Sequence, residues 1–197
     1  MIIVMENSEL NQRGVEALKQ ANKDTTVQYY NSLTTQTTSD EELILLDLSA
    51  DGEFQELCSP EQLASELEEK SLLNNVKVIH LLISDVSSDS HLIPFAKELA
   101  IALEKMDKKE IHITVPTDMS YQMTLLAPPE TNEGNWKIYG LSAKKSDSFF
   151  QESKDKDYES LEKLSNKKLL WQGKNIVDWQ SSHPDRMITA KPPKLCL

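Results

Sequence analysis

Two cysteines in 197 residues, Cys58 and Cys196, leave room for one disulfide at most and exclude a thiolate metal cluster. Cys196 stands one residue from the end, where chains fray, so a reduced environment is expected. Glycine is nearly as scarce. The five present, Gly14, Gly52, Gly134, Gly140 and Gly173, nowhere form a phosphate-cradling loop or a dinucleotide fingerprint, and no such cofactor is expected. No apolar run approaches the roughly 18 residues of a membrane-crossing helix. The start, Met1-Ile2-Ile3-Val4-Met5-Glu6, has no basic flank and turns acidic at once, so no secretory signal is expected. Basic charge is also short. Lys and Arg number 21 against 32 Asp and Glu, and the net charge of −11 disfavours nucleic acid or anionic lipid as the main partner. A protein or peptide, basic in character, remains allowed. The expected protein is soluble, and either cytoplasmic or secreted without a classical signal peptide.

What is present is a series of apolar strands separated by capped helices. Val76-Lys77-Val78-Ile79-His80-Leu81-Leu82-Ile83 is apolar except at Lys77 and His80, too short to span a membrane and too continuous for a strand wetted on one face. It reads as the central strand of a parallel sheet, and the return of polarity at Ser84-Asp85 marks where an open α/β fold carries its site. Ile2 to Met5, Glu42 to Leu48 and Ile111 to Val115 read as its companions. Between them, Ser8 can cap a helix to about Ala21, and Ser59-Pro60-Glu61-Gln62 combines a cap, a first-turn proline and a glutamine three residues on. Leu92, Phe95, Ala96, Leu99, Ala102 and Leu103 mark a third helix by their three- and four-residue steps.

Thr25 to Leu33 is β-prone, and the polar Thr34 to Ser39 predicts a passage to the next strand without a full helix, in a hairpin-like or edge arrangement that would be antiparallel. Gln122 to Leu126 and Trp136 to Tyr139 read as a late antiparallel hairpin. Residues 1–141 then form an α/β core, and residues 142–197 a charged extension packed on the same domain, with a helix from about Asp155, two tryptophans, Trp171 and Trp179, and a short strand at Arg186 to Thr189.

The crest of such a sheet presents Asp47, Ser49 and Asp51 after one strand, Ser84 and Asp85 after the next, and Asp118 after the last. A hydrolase would draw its nucleophile from Ser84 or Cys58, with Asp85 and His91 as candidate partners. His80 lies four residues before Ser84, roughly 13 Å back along a strand, so it is expected to be structural. A receiver-like domain centred on Asp47 is a further alternative, against which stands the absence of a lysine in Val115-Pro116-Thr117-Asp118. No metal ligand set is expected.

Leu45-Leu46-Asp47-Leu48-Ser49, Ser59-Pro60-Glu61-Gln62-Leu63 and Ile79-His80-Leu81-Leu82-Ile83-Ser84, in that order, resemble the caspase-like (clan CD) cysteine peptidases, nearest to the self-processing cysteine peptidase domain of large bacterial toxins. Phe95-Ala96-Lys97-Glu98-Leu99 and Ile113-Thr114-Val115-Pro116-Thr117 continue the likeness, which covers about residues 1–141. The resemblance implies a three-layer sandwich with a mostly parallel central sheet flanked by helices. It also implies that Leu48 stands where the catalytic histidine belongs and Ser84 where the cysteine belongs. Leucine moves no proton, and an unactivated serine is a poor nucleophile. The expectation is therefore a pseudoenzyme: a peptidase-like binding or regulatory module, in the manner of a secreted bacterial effector acting on a host protein. Its ligand-binding rim would be Asp47, Ser49, Asp51, Ser84, Asp85 and Asp118.

Overall fold

Leu43, Ile44, Leu45 and Leu46 offer no polar group beyond the backbone, and such a run is stable only as a strand covered on both faces. In the computed structural model this run lies in β3 (Glu42–Asp47), in the middle of a six-stranded sheet. The structure describes residues 1–21, 24–48, 58–84, 92–116, 121–126, 137–142, 167–172, 182, 184 and 187–191.

In chain order the other elements are β1 (Ile2–Val4), α1 (Glu9–Ala21), β2 (Val27–Tyr29), a 3-10 turn at Tyr30–Ser32, α2 (Pro60–Glu69), β4 (Val78–Ile83), α3 (Leu92–Lys105), β5 (His112–Pro116), β6 (Tyr121–Leu126), β7 (Lys137–Ser142), β8 (Lys167–Gln172) and β9 (Met187–Ala190). The large sheet runs β2-β1-β3-β4-β5-β9, parallel throughout except for β9, which pairs antiparallel with β5. The chain winds outward in both directions from β1 and β3. Right-handed crossovers therefore put α1 on one face and α2 with α3 on the other. Gly14 of α1 sits directly over Leu46 and Leu48 of the β3 side, and α2 and α3 touch each other. The mostly parallel α/β architecture expected from the sequence is what the chain adopts.

Local signals placed the helices well. Ser8 Oγ accepts from Asn11 N at 3.1 Å, and Ser59 Oγ accepts from Gln62 N at 3.1 Å with Pro60 in the first turn. Leu63 and Leu67 of α2 are buried, as are Leu92, Phe95, Ala96, Leu99, Ala102 and Leu103 of α3. Both helices end on a residue with positive φ that is not glycine, Ser71 at 60° and Asp107 at 61°. At each end the same pair of backbone bonds closes the turn: Ser71 N to Glu68 O and Leu72 N to Leu67 O, then Asp107 N to Glu104 O and Lys108 N to Leu103 O. This is the Schellman arrangement, made here without its usual glycine.

One expectation needs correction. β2 is an edge strand, but among the described residues it pairs only with β1, and in parallel. There is no helix between β2 and β3, as the composition of 34–39 required. The segment instead returns across β1 as an extended strap, tied by Gln36 N to Lys70 O and by Asn75 Nδ2 to Thr38 O at 2.5 Å. An extended run of about nine residues reaches nearly 30 Å, ample to cross one strand. In residues 142–197 the short strand expected at Arg186 to Thr189 is present as β9, and β8 is a strand the sequence reading did not name. β8 completes a second, antiparallel sheet, β6-β7-β8, and β9 supplies the sixth strand of the main sheet. The late hairpin is therefore two strands of a three-stranded sheet, and the main sheet draws its last strand from the final quarter of the chain. The helix expected from Asp155 and Trp179 lie outside the described residues.

Candidate functional site

β3 and β4 are in register, with Asp47 opposite Ile83, so the next residues, Leu48 and Ser84, leave the sheet side by side. Ser84 N donates to Asp47 O at 2.6 Å, extending the ladder one step past the strand ends. The two positions singled out from the sequence are thus neighbours at the crest. Leu48 is fully buried and directed at Gly14, where a Cβ would stand 2.9 Å from Leu48 Cδ1. Asp47 and Ser84 are buried as well, at 1 and 2 % exposure.

What holds this crest together is a side chain that the sequence did not single out. Asn11, in the first turn of α1, is fully buried. Its Nδ2 donates to Glu6 O at 2.8 Å and to Asp47 Oδ1 at 3.0 Å, while its Oδ1 accepts from Leu48 N at 2.5 Å. One amide therefore ties the loop after β1, the start of α1 and the end of β3. An amide suits this place because it both donates and accepts, which neither a carboxylate nor a hydrocarbon can do. The available clue was positional: Asn11 precedes Gly14 by three residues and Leu18 by seven, a polar residue within the inward stripe of α1.

The histidines lie elsewhere. The ring of His80 is fully buried inside β4, where Nδ1 shares a 2.8 Å hydrogen bond with Thr114 Oγ1 and Nε2 is 3.7 Å from Glu42 Oε2. Glu42 opens β3, so this group faces the amino-terminal end of the sheet, away from Ser84. His112 is exposed and pairs with Val78, further still from the crest. Among the described residues no imidazole stands beside Ser84. His91, Ser49, Asp51, Asp85 and Asp118 lie outside the described residues.

Cys58 is buried just before α2, beside Tyr30 at the end of β2. Burial pushes its thiol up to about 11, the nearby Glu66 carboxylate adds to the rise, and the Tyr30 hydroxyl partly offsets it. Tyr30 is itself raised, chiefly by burial and then by Glu66, and its buried hydroxyl has no hydrogen bond of good geometry. A thiol held protonated in this way is a weak nucleophile at neutral pH.

No family model matches the chain, and comparison with curated proteins and with solved structures gives no match either. The site must be read from its own geometry.

Among the described residues, no three His, Cys, Asp or Glu side chains gather into a metal-binding group. No helix among them is long and apolar enough to cross a membrane. At the amino-terminal end of β4 a hollow of about 390 Å³ is lined by Ser39, Glu41, Asn74, Asn75, Val76 and Lys77, at the opposite end from Ser84. The crest can supply a carboxylate, an amide and a hydroxyl. It supplies no group among the described residues that would both take and return a proton near neutral pH.

Proposed function

We propose that this chain is a catalytically inactive, peptidase-like binding or regulatory module. The observation that carries the reading is the burial of Leu48 against Gly14 beside Ser84. The position where the resemblance asks for a proton-shuttling imidazole holds a hydrocarbon that fills the space between α1 and β3. The histidine of the neighbouring strand, His80, is engaged with Thr114 within β4 rather than directed at this crest. Two independent changes would be needed to restore the chemistry, a base at 48 and a stronger nucleophile at 84.

The partner in this reading is a protein or peptide carrying basic residues, in keeping with a net charge of −11 and with the carboxylates Asp51, Asp85 and Asp118 in the segments that follow the parallel strands. The resemblance adds action on a host protein by a bacterial effector, a role that rests on the likeness alone.

The test has two arms. Serine- and cysteine-directed electrophiles, followed by peptide mass spectrometry, should leave Ser84 and Cys58 unmodified under native conditions. Stoichiometric labelling of either would replace this proposal with a hydrolase. A partner captured by the intact chain should be lost on reversing the charge of Asp85, and retention by Asp85→Lys would remove the acidic crest from the binding surface.

A further inference from the structure

The ring of His80 is sunk in the main sheet and only half satisfied. Nδ1 has Thr114 Oγ1 at 2.8 Å, whereas Nε2 has no hydrogen-bond partner among the described residues, although the side chain is fully buried. A nitrogen buried in that state costs stability that a leucine at the same place would spare. Glu42 Oε2 stands 3.7 Å from Nε2, too far for a hydrogen bond and close enough for an ion pair.

Register puts these groups on one face. Ile44 lies opposite His80, His80 opposite Thr114, and Glu42 two residues before Ile44, so Glu42, His80 and Thr114 share the face that α1 covers at Leu46. Around the ring that face is apolar, with Ile44 and Leu82 buried. Charge is confined to its margin. Glu42, 31 % exposed, opens β3 directly after the extended strap. On β5, His112 is exposed beside Val78. The Lys77 ammonium is held by Glu41 and the Met1 amine by Asp40. The charged groups of α1, Glu9, Arg13, Glu16 and Lys19, are all exposed, and Arg13 is paired with Glu9. Among the described residues Glu42 is therefore the charged group within reach of Nε2.

We propose that Glu42, His80 and Thr114 form a proton-operated clasp across β3, β4 and β5. The neutral ring carries one N–H, and the Thr114 hydroxyl can donate to Nδ1 or accept from it, so that bond survives in either tautomer. When solvent supplies a second proton, both ring nitrogens donate, Nδ1 to Thr114 Oγ1 and Nε2 to Glu42 Oε2. The carboxylate then moves in by about 1 Å, to the roughly 2.7–2.9 Å of a charge-assisted bond. Glu42 has room for this movement because it is partly exposed at the first residue of its strand, while burial fixes the ring. Its arrival leaves no uncompensated charge in the core. The clasp sits where the chain enters β3: Glu41 O already accepts from Lys77 N and Val78 N, and Asn75 Nδ2 holds Thr38 O. Closure adds a side-chain tie to those bonds, so the junction of strap and sheet tightens as pH falls. This end of the sheet is opposite Leu48 and Ser84, and the clasp stands whether or not the crest is inactive.

The test uses the full chain between about pH 8 and pH 5.5, where imidazoles titrate while ordinary carboxylates remain ionised. Urea unfolding is measured for the parent and for Glu42→Gln at each pH. A ring that holds its second proton better in the fold adds stability at low pH that is lost as pH rises. The ratio of the two unfolding constants should therefore widen by roughly tenfold as pH falls, because the variant leaves the added charge buried alone. His112→Gln, which alters an exposed ring, should follow the parent. Imidazole 15N NMR gives the second readout. At pH 5.5 the parent His80 should show two ring N–H protons, with Nε2–H exchanging slowly with water, and in Glu42→Gln the ring should still carry one. A parent ring that keeps a single proton down to pH 5.5, or a Glu42→Gln variant that follows the parent at every pH, would overturn the clasp.

Discussion

Replacing Asn11 by alanine should cost far more than an ordinary change in the first turn of a helix. The fully buried amide makes three hydrogen bonds, to Glu6 O, to Asp47 Oδ1 and from Leu48 N, and two of those partners are themselves almost wholly buried. A buried hydrogen bond is worth about 1 kcal/mol net, and a bond to a charged group about 1.5 to 3 kcal/mol. Leaving the Leu48 N–H without its acceptor adds a desolvation penalty. The sum is roughly 3 to 5 kcal/mol, against a total stability of about 5 to 15 kcal/mol for a domain. Equilibrium urea unfolding measures it. Ser8→Ala is the internal control, because it removes only the cap on Asn11 N and should cost about 1 kcal/mol. Asn11→Asp keeps the bond from Leu48 N but sets a second carboxylate about 3 Å from Asp47 Oδ1. The introduced carboxyl is then held protonated, so its folded pKa lies above the unfolded value near 3.9. The variant should be closest to the parent below about pH 4 and fall behind as pH rises toward 7. If Asn11→Ala costs no more than Ser8→Ala, water replaces the amide freely and the crest is not a closed polar hub.

Three further outcomes follow from the same structure. Ser71→Gly and Asp107→Gly should each stabilise the chain by about 1 kcal/mol, because both residues hold a left-handed φ that glycine adopts freely; unchanged unfolding midpoints would contradict the Schellman assignment. Gly14→Ala sets a helix-propensity gain of about 1 kcal/mol against crowding that costs about 1 to 3 kcal/mol, since its Cβ would lie 2.9 Å from Leu48 Cδ1 and 3.2 Å from Leu46 Cδ2. A net loss is expected, larger for Gly14→Val, and a more stable Gly14→Ala would show that the leucines yield. For Cys58, the folded thiol titrates near 11 and the unfolded one near 8.5, so both states keep the proton below about pH 8. Between those values only the unfolded state releases it, and stability falls as pH rises. Tyr30, also raised, acts in the same direction at higher pH. Cys58→Ala should fall less steeply over that window, and an identical alkaline slope would show that the thiol is not responsible.

The crest was partly legible. The apolar runs at 43–46 and 78–83 announced two adjacent parallel strands, and their lengths brought Leu48 and Ser84 to the same end of the sheet. Asn11 was hidden because one asparagine on an amphipathic helix carries the same local signal whether it faces water or an amide-sized gap between strands. Helix ends were blurred at Ser71 and Asp107 because the expected glycines are absent. The strand at 167–172 was missed in a segment dense in lysine, and its partner β7 lies some 30 residues earlier.

Sequence alone determined what depends on neighbours along the chain: the strands with continuous apolar runs, the capped starts of α1 and α2, the buried stripe of α3 and the strongly acidic balance. Each follows from periodicity, capping and composition, which act over a few residues. Only the tertiary structure decided that β2 pairs in parallel at an edge, that 187–190 close the main sheet against β5, and that Asn11 bridges three segments at the crest. Those features depend on which distant backbone offers an unsatisfied hydrogen-bonding group at the right distance, and sequence periodicity carries no information about that.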